Sequence, residues 1–97
     1  MSNRPTARQQ RRHDRVRALG CLACRNLGYG EDSPAEIHHV QVQLGKRDHD
    51  CVIPLCPPHH RYGPDAVHLV DDYEWGVKMR QTESEMLSEV DRLIPHC

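Results

Sequence analysis

The sequence predicts one small α+β fold stapled by metal, and three observations lead there. The chain has 97 residues, room for a single domain. Only 37% of them are hydrophobic, with one Trp, three Tyr and no Phe, so a purely apolar core would be marginal and a staple is expected. Five Cys stand beside eight His, and an odd number of thiols fits a complete disulfide framework poorly but a metal site with spare thiols well. The first residues, MSNRPTARQQRRHD, carry charge with no apolar segment behind them. No secretory signal is expected, and no run of about 18 apolar residues is present to span a membrane. A cytosolic protein with reduced thiols and no membrane partner follows as the expectation.

The elements follow in order. Thr6 can cap a helix running to about Leu19, with Val16 and Leu19 on one face and Gly20 as its stop. Residues 21–34 read as a turn-rich loop containing Gly28, Gly30 and Pro34. Ile37 to Gln43 reads as a short strand, Gly45 to Asp50 as a turn or loop, and Cys51 to Leu55 as a second strand. A short helix is expected from about Pro58 to Tyr62, cut by Gly63-Pro64, and then an irregular stretch to Asp72. From Tyr73 to Ile94 the positions of Met79, Met86, Leu87, Val90 and Leu93/Ile94 predict one long amphipathic helix with Glu83, Glu85 and Glu89 towards water. The chain thus divides into a basic helix or arm over 1–19, a core over 20–76 and a C-terminal helix over 77–97.

A net charge of −1 hides an asymmetry: residues 1–17 hold six Arg against one Asp, and residues 65–97 hold eight acids against three bases. The basic end suits phosphates. Arg4, Arg8, Arg11 and Arg15 share one helical face, and with Arg12, Lys46, Arg47 and Arg61 they are the candidate nucleic-acid contacts. The plain alternative is an Arg-rich helix that only keeps a small protein soluble.

Chemistry concentrates in two knuckles. CLAC places Cys21 and Cys24 at C-x2-C, and CPPH places Cys56 and His59 at C-x2-H. Together they offer three thiolates and one imidazole to a tetrahedral structural Zn²⁺; without zinc they are reduced, partly buried cysteines beside an ordinary histidine. Cys51 and Cys97 lie outside the pattern and receive no role. If His59 closes the zinc site, the adjacent His60 is left over. A second pair, His38-His39, sits on the first strand, where neighbouring residues face opposite ways, so only one of the two can point at a given centre unless the strand ends or bends. A divalent metal on His38 and His60, with His39 near enough to take a proton from water, would make a phosphodiester hydrolase centre, because a neutral imidazole is a suitable base at physiological pH.

These residues, C-x2-C, HHV and IPLCPPHHR-x-G followed by VH, resemble the HNH or ββα-metal nuclease superfamily, most closely the small phage-associated recombination enhancement function (Ref) proteins. The resemblance covers roughly residues 20–76. It implies a two-stranded hairpin and a helix gripping one catalytic Mg²⁺, Mn²⁺ or Zn²⁺ beside a structural Zn²⁺, in a phage- or prophage-encoded protein of the bacterial cytoplasm that nicks or cuts DNA. His38 matches the first-strand metal ligand, His39 the general base and His60 the metal ligand after the knuckle. The Asn that orients the base in many members is missing from the second strand, leaving Asp48, His49 or Asp50 for that task, with His49 the first choice. His68 matches a downstream His that is either a third metal ligand or a phosphate contact. Recombinase filaments on DNA are the associated partner by resemblance alone. The competing classes are a zinc-stapled module that binds nucleic acid or protein without cutting, which has no need of His39 or His60, and a C-x2-C redox protein, which lacks the strand-helix context.

Overall fold

A computed structural model of the chain describes residues 4–30, 33–40 and 49–94. The elements are α1 (Ala7–Ala18), α2 (Leu22–Asn26), β1 (Glu36–His39), β2 (Val52–Leu55), a single π turn (Pro58–Tyr62), α3 (Asp72–Met79) and α4 (Glu83–Leu93). Among the described residues, no helix is long and apolar enough to cross a membrane.

α1 begins as the sequence predicts, in a reciprocal cap: the Gln9 backbone N–H donates to Thr6 Oγ1 at 3.1 Å, and the Thr6 N–H donates to Gln9 Oε1 at 2.8 Å. It ends before Gly20, whose φ of 79° lies in the left-handed region. The expected loop over 21–34 contains a helix the composition did not reveal. Cys21 caps α2, its Sγ accepting from the Cys24 N–H at 3.4 Å, so the knuckle thiol supplies the acceptor that Ser or Asp supplies elsewhere.

β1 and β2 pair antiparallel, with His38 opposite Ile53 and His39 opposite Val52. β1 ends at His39; the expected continuation through Gln41–Gln43 lies outside the described residues. All of β2 is buried, and α1, α2 and α4 pack on it. Val52, Ile53 and Leu55 therefore form the centre of a core completed by Val16, Trp75, Met79, Met86 and Val90.

The expected long C-terminal helix is two helices. After Met79 the chain turns through Arg80, at φ 64°, and the Gln81 N–H reaches back to the Gly76 carbonyl at 3.1 Å in a Schellman-type closure. Thr82 and Glu85 then form a second capping box that restarts the chain as α4. The periodicity of the apolar residues survives the break because Trp75, Met79, Met86 and Val90 still reach one core. The break changes where the acids point. Glu85 is spent on the cap, but neither Glu83 nor Glu89 faces water as expected: Glu83 turns onto His38, and Glu89 onto Arg25.

Candidate functional site

Adjacent helical residues project in different directions, and the turn after β2 uses this to split the His59-His60 pair. The His60 N–H donates to the Cys56 carbonyl and the Gly63 N–H to the Pro58 carbonyl, both at 2.8 Å, the second closing a π turn. His59 thereby joins the cysteines. Its Nδ1 lies 3.8, 3.5 and 3.2 Å from Cys21, Cys24 and Cys56 Sγ, and the Cys24 and Cys56 sulfurs are 3.6 Å apart. All four predicted ligands form one group that can hold a metal ion. Burial pushes the Cys56 thiol up to about 12 and raises Cys21 as well, while burial lowers His59. Buried thiols of this kind ionise only beside a positive charge.

His60 turns the other way. With His38 and His68 it forms a second group, one ring nitrogen of each within 4.8 Å of the others, with ring centroids 4.8–5.1 Å apart. His38 is buried, His68 exposed. The predicted metal histidines thus share one cluster, with two carboxylates beside it that the sequence did not mark as site residues. Glu36 Oε1 lies 2.9 Å from His60 Nδ1 and is itself fixed by the Arg61 guanidinium at 2.7 and 2.9 Å, which leaves His60 Nε2 for the centre. The Arg61 guanidinium, followed by His60, lowers the Glu36 carboxyl, and burial lowers His60 and His68 towards the neutral form that ligates. Glu83 Oε1 lies 2.6 Å from His38 Nε2, and the negative charge of Glu83 raises Asp72. His38, His68, Asp72 and Glu83 line an open groove of about 460 Å³ that His39 also lines.

β-strand alternation sends His39 away from His38. His39 Nε2 meets His49 Nδ1 at 2.9 Å, and the His49 carbonyl meets His13 Nε2 at 2.7 Å. The residue expected to orient His39 is therefore in contact with it, and His13, on α1, completes a third group that the sequence reading missed. Of the alternatives to His49, Asp48 lies outside the described residues, and Asp50 presents its carbonyl to Arg12.

The family itself is legible over most of the chain. The sequence profile for recombination enhancement, RecA-dependent nuclease, matches residues 5–89. The chain belongs to this family. Among curated proteins none matches it. As a member of a family named for a nuclease of recombination, the chain carries, among its described residues, three His/Cys groups that could hold a metal ion.

The candidate phosphate contacts fare unevenly. Arg4, Arg8, Arg11 and Arg15 are exposed, the last three along α1. Arg12 is not available to a ligand: it is 5% exposed, and its guanidinium donates to the Ile94 carbonyl at 3.0 and 3.3 Å, to the Asp50 carbonyl at 3.1 Å and to Asp91 at 2.9 Å. The helix face that carries Arg12, His13 and Val16 is the docked face. Arg61 is exposed but paired with Glu36. Lys46, Arg47 and Cys97 lie outside the described residues.

Proposed function

We propose that this protein is a metal-dependent endonuclease of the HNH, or ββα-metal, type that hydrolyses DNA phosphodiesters during recombination, with a RecA filament on DNA as its partner. The observation that carries the reading is the convergence of His38, His60 and His68 on one point beside a groove that His39 shares. The partner is supported by the family's name alone.

Within this reading the Cys21, Cys24, Cys56 and His59 group holds structural Zn²⁺. A tetrahedral zinc separates two thiolate sulfurs by about 3.8 Å and a sulfur from an imidazole nitrogen by about 3.5 Å. The observed separations, 3.6 Å between sulfurs and 3.2–3.8 Å from sulfur to nitrogen, are close to those of that cage. His38, His60 and His68 would hold the catalytic ion, and Glu83 and Asp72 add hard oxygen donors at the groove that suit Mg²⁺ or Mn²⁺ as well as Zn²⁺. When bound, such an ion supplies positive charge to the phosphate and to the leaving oxygen. The chain's own residues do the rest. Glu36 fixes the ring of His60. In this reading His39 Nε2–H donates to His49 Nδ1 across their 2.9 Å contact, the tautomer that puts on His39 Nδ1 the lone pair needed to take a proton from the attacking water. The exposed Arg8, Arg11 and Arg15 add sequence-independent attraction to the DNA backbone.

Cleavage of single-stranded and duplex DNA, with and without a RecA filament and across a series of Mg²⁺ and Mn²⁺ concentrations, tests the reading. Glu36→Gln is expected to need about 10–100-fold more metal for the same rate, and His60→Ala more still. Cleavage by His60→Ala at the wild-type metal concentration and rate would refute the proposed centre.

A further inference from the structure

We infer that His13, His39 and His49 form a third metal site, specific for zinc-like ions, whose occupation shuts the nuclease off by taking its base. The consequence for cleavage rests on the function proposed above; the site itself does not.

Three distant stretches of chain meet here: His13 from α1, His39 from the last position of β1, and His49 from just ahead of β2. One ring nitrogen of each lies within 4.8 Å of the others. The strand alternation that gives His38 to the nuclease centre gives His39 to this one, so the two sites are built back to back on one dipeptide. His13 is 5% exposed and has no part in the proposed hydrolysis. His13 Nε2 meets the His49 carbonyl at 2.7 Å, which holds the ring in place beside the other two imidazoles.

The donor set decides the ligand. Three neutral imidazoles suit Zn²⁺, Ni²⁺ or Cu²⁺, with water in the fourth position, and suit Mg²⁺ poorly. The nuclease centre differs, since Glu83 and Asp72 line the groove it opens to. Mg²⁺ should therefore fill one site and leave the other, while zinc can fill both.

Loading has a defined proton balance. In the unloaded protein one proton lies between His39 Nε2 and His49 Nδ1, 2.9 Å apart. An ion that binds both nitrogens takes that proton's place, and the proton moves to His39 Nδ1, keeping the imidazole neutral. His39 then has metal on one nitrogen and hydrogen on the other, and no lone pair remains to accept a proton from water. The rate should fall by the whole contribution of a general base, about 10²–10⁴-fold. Because loading must break the His39–His49 hydrogen bond, this site is expected to fill last.

The experiment counts metal on the intact full-length protein by native mass spectrometry during zinc titration, and follows cleavage in Mg²⁺ over the same series. Wild type should take one more zinc ion than His13→Gln, whose side-chain amide can still donate to the His49 carbonyl and keep α1 in place, and one more than His49→Asn. Cleavage by wild type should collapse as that last ion binds, and His13→Gln should resist the same zinc concentration. Equal zinc counts in wild type and both variants would overturn the site, whatever the nuclease does. A lost ion without any change in zinc sensitivity would keep the site and overturn the inhibitory role. Absence of cleavage under every metal would sink the nuclease reading, while the count still decides the site.

Discussion

Replacing Arg12 separates a docked helix from a DNA-binding one. The perturbation is Arg12→Ala, with Arg11→Ala as the exposed neighbour. Arg12 makes four hydrogen bonds at 2.9–3.3 Å, two of them to the carbonyl of Ile94, a residue 4% exposed. The Asp91 side chain is 40% exposed and can rehydrate once Arg12 is gone, so its loss counts for little. The Ile94 and Asp50 carbonyls lose charged donors in partly or fully buried surroundings, at about 1–3 kcal/mol each. The sum, about 2–6 kcal/mol, comes from leaving those two carbonyls without their donors. A chain of this size has about 5–15 kcal/mol to lose. Thermal and urea unfolding of the metal-loaded protein should show Arg12→Ala melting more than about 10 °C below wild type, with Arg11→Ala within about 0.5 kcal/mol of it. A stable Arg12→Ala variant that had lost only DNA affinity would refute the reasoning and restore Arg12 to the phosphate contacts.

Glu89→Gln should cost about 1–3 kcal/mol at neutral pH, because Glu89 pairs with Arg25, the residue after Cys24, and is held down to about 2 by that guanidinium. A depressed carboxylate stabilises above its ordinary value, here 4.5, and loses that contribution as pH falls towards about 2; urea midpoints of wild type and variant should therefore converge over that window, and parallel curves would refute the pairing. Gly63→Ala should destabilise by about 1–3 kcal/mol and weaken metal binding at both the Cys21, Cys24, Cys56 and His59 group and the His38, His60 and His68 group, since an added Cβ would stand 2.5 Å from the Pro58 carbonyl oxygen that closes the turn carrying His59 and His60; unfolding together with metal counting checks it, and a neutral substitution would show that the turn is not needed.

Much of the candidate site could be read from the sequence because its residues come in local pairs. Two x2 spacings mark the knuckles, and strand alternation anticipates that His38 and His39 fall in different His groups although both line the groove. What the sequence concealed is long-range. Glu36 and Glu83 lie on elements whose register against His60 and His38 depends on the packed fold, not on spacing. His13 looked like one more polar residue of an Arg-rich helix because the helix's apolar stripe is only Val16 and Leu19, too thin to show which face docks. Arg12 was misread for the same reason. Other signals were present but outweighed: the TESE stretch carries the Thr82 and Glu85 capping box, yet the continuous apolar period through Met79, Met86 and Val90 favoured one helix over two. α2 was hidden because its cap is a cysteine, a residue that usually marks a knuckle and not a helix start.

The most direct measurement is single-turnover cleavage of DNA by His39→Ala, on protein shown to carry wild-type metal at the Cys21, Cys24, Cys56 and His59 group and at the His38, His60 and His68 group. If His39 is the base, the rate at saturating Mg²⁺ or Mn²⁺ falls about 10²–10⁴-fold with the fold and both metals intact. Cleavage at the wild-type rate by a fully loaded His39→Ala protein would contradict the account.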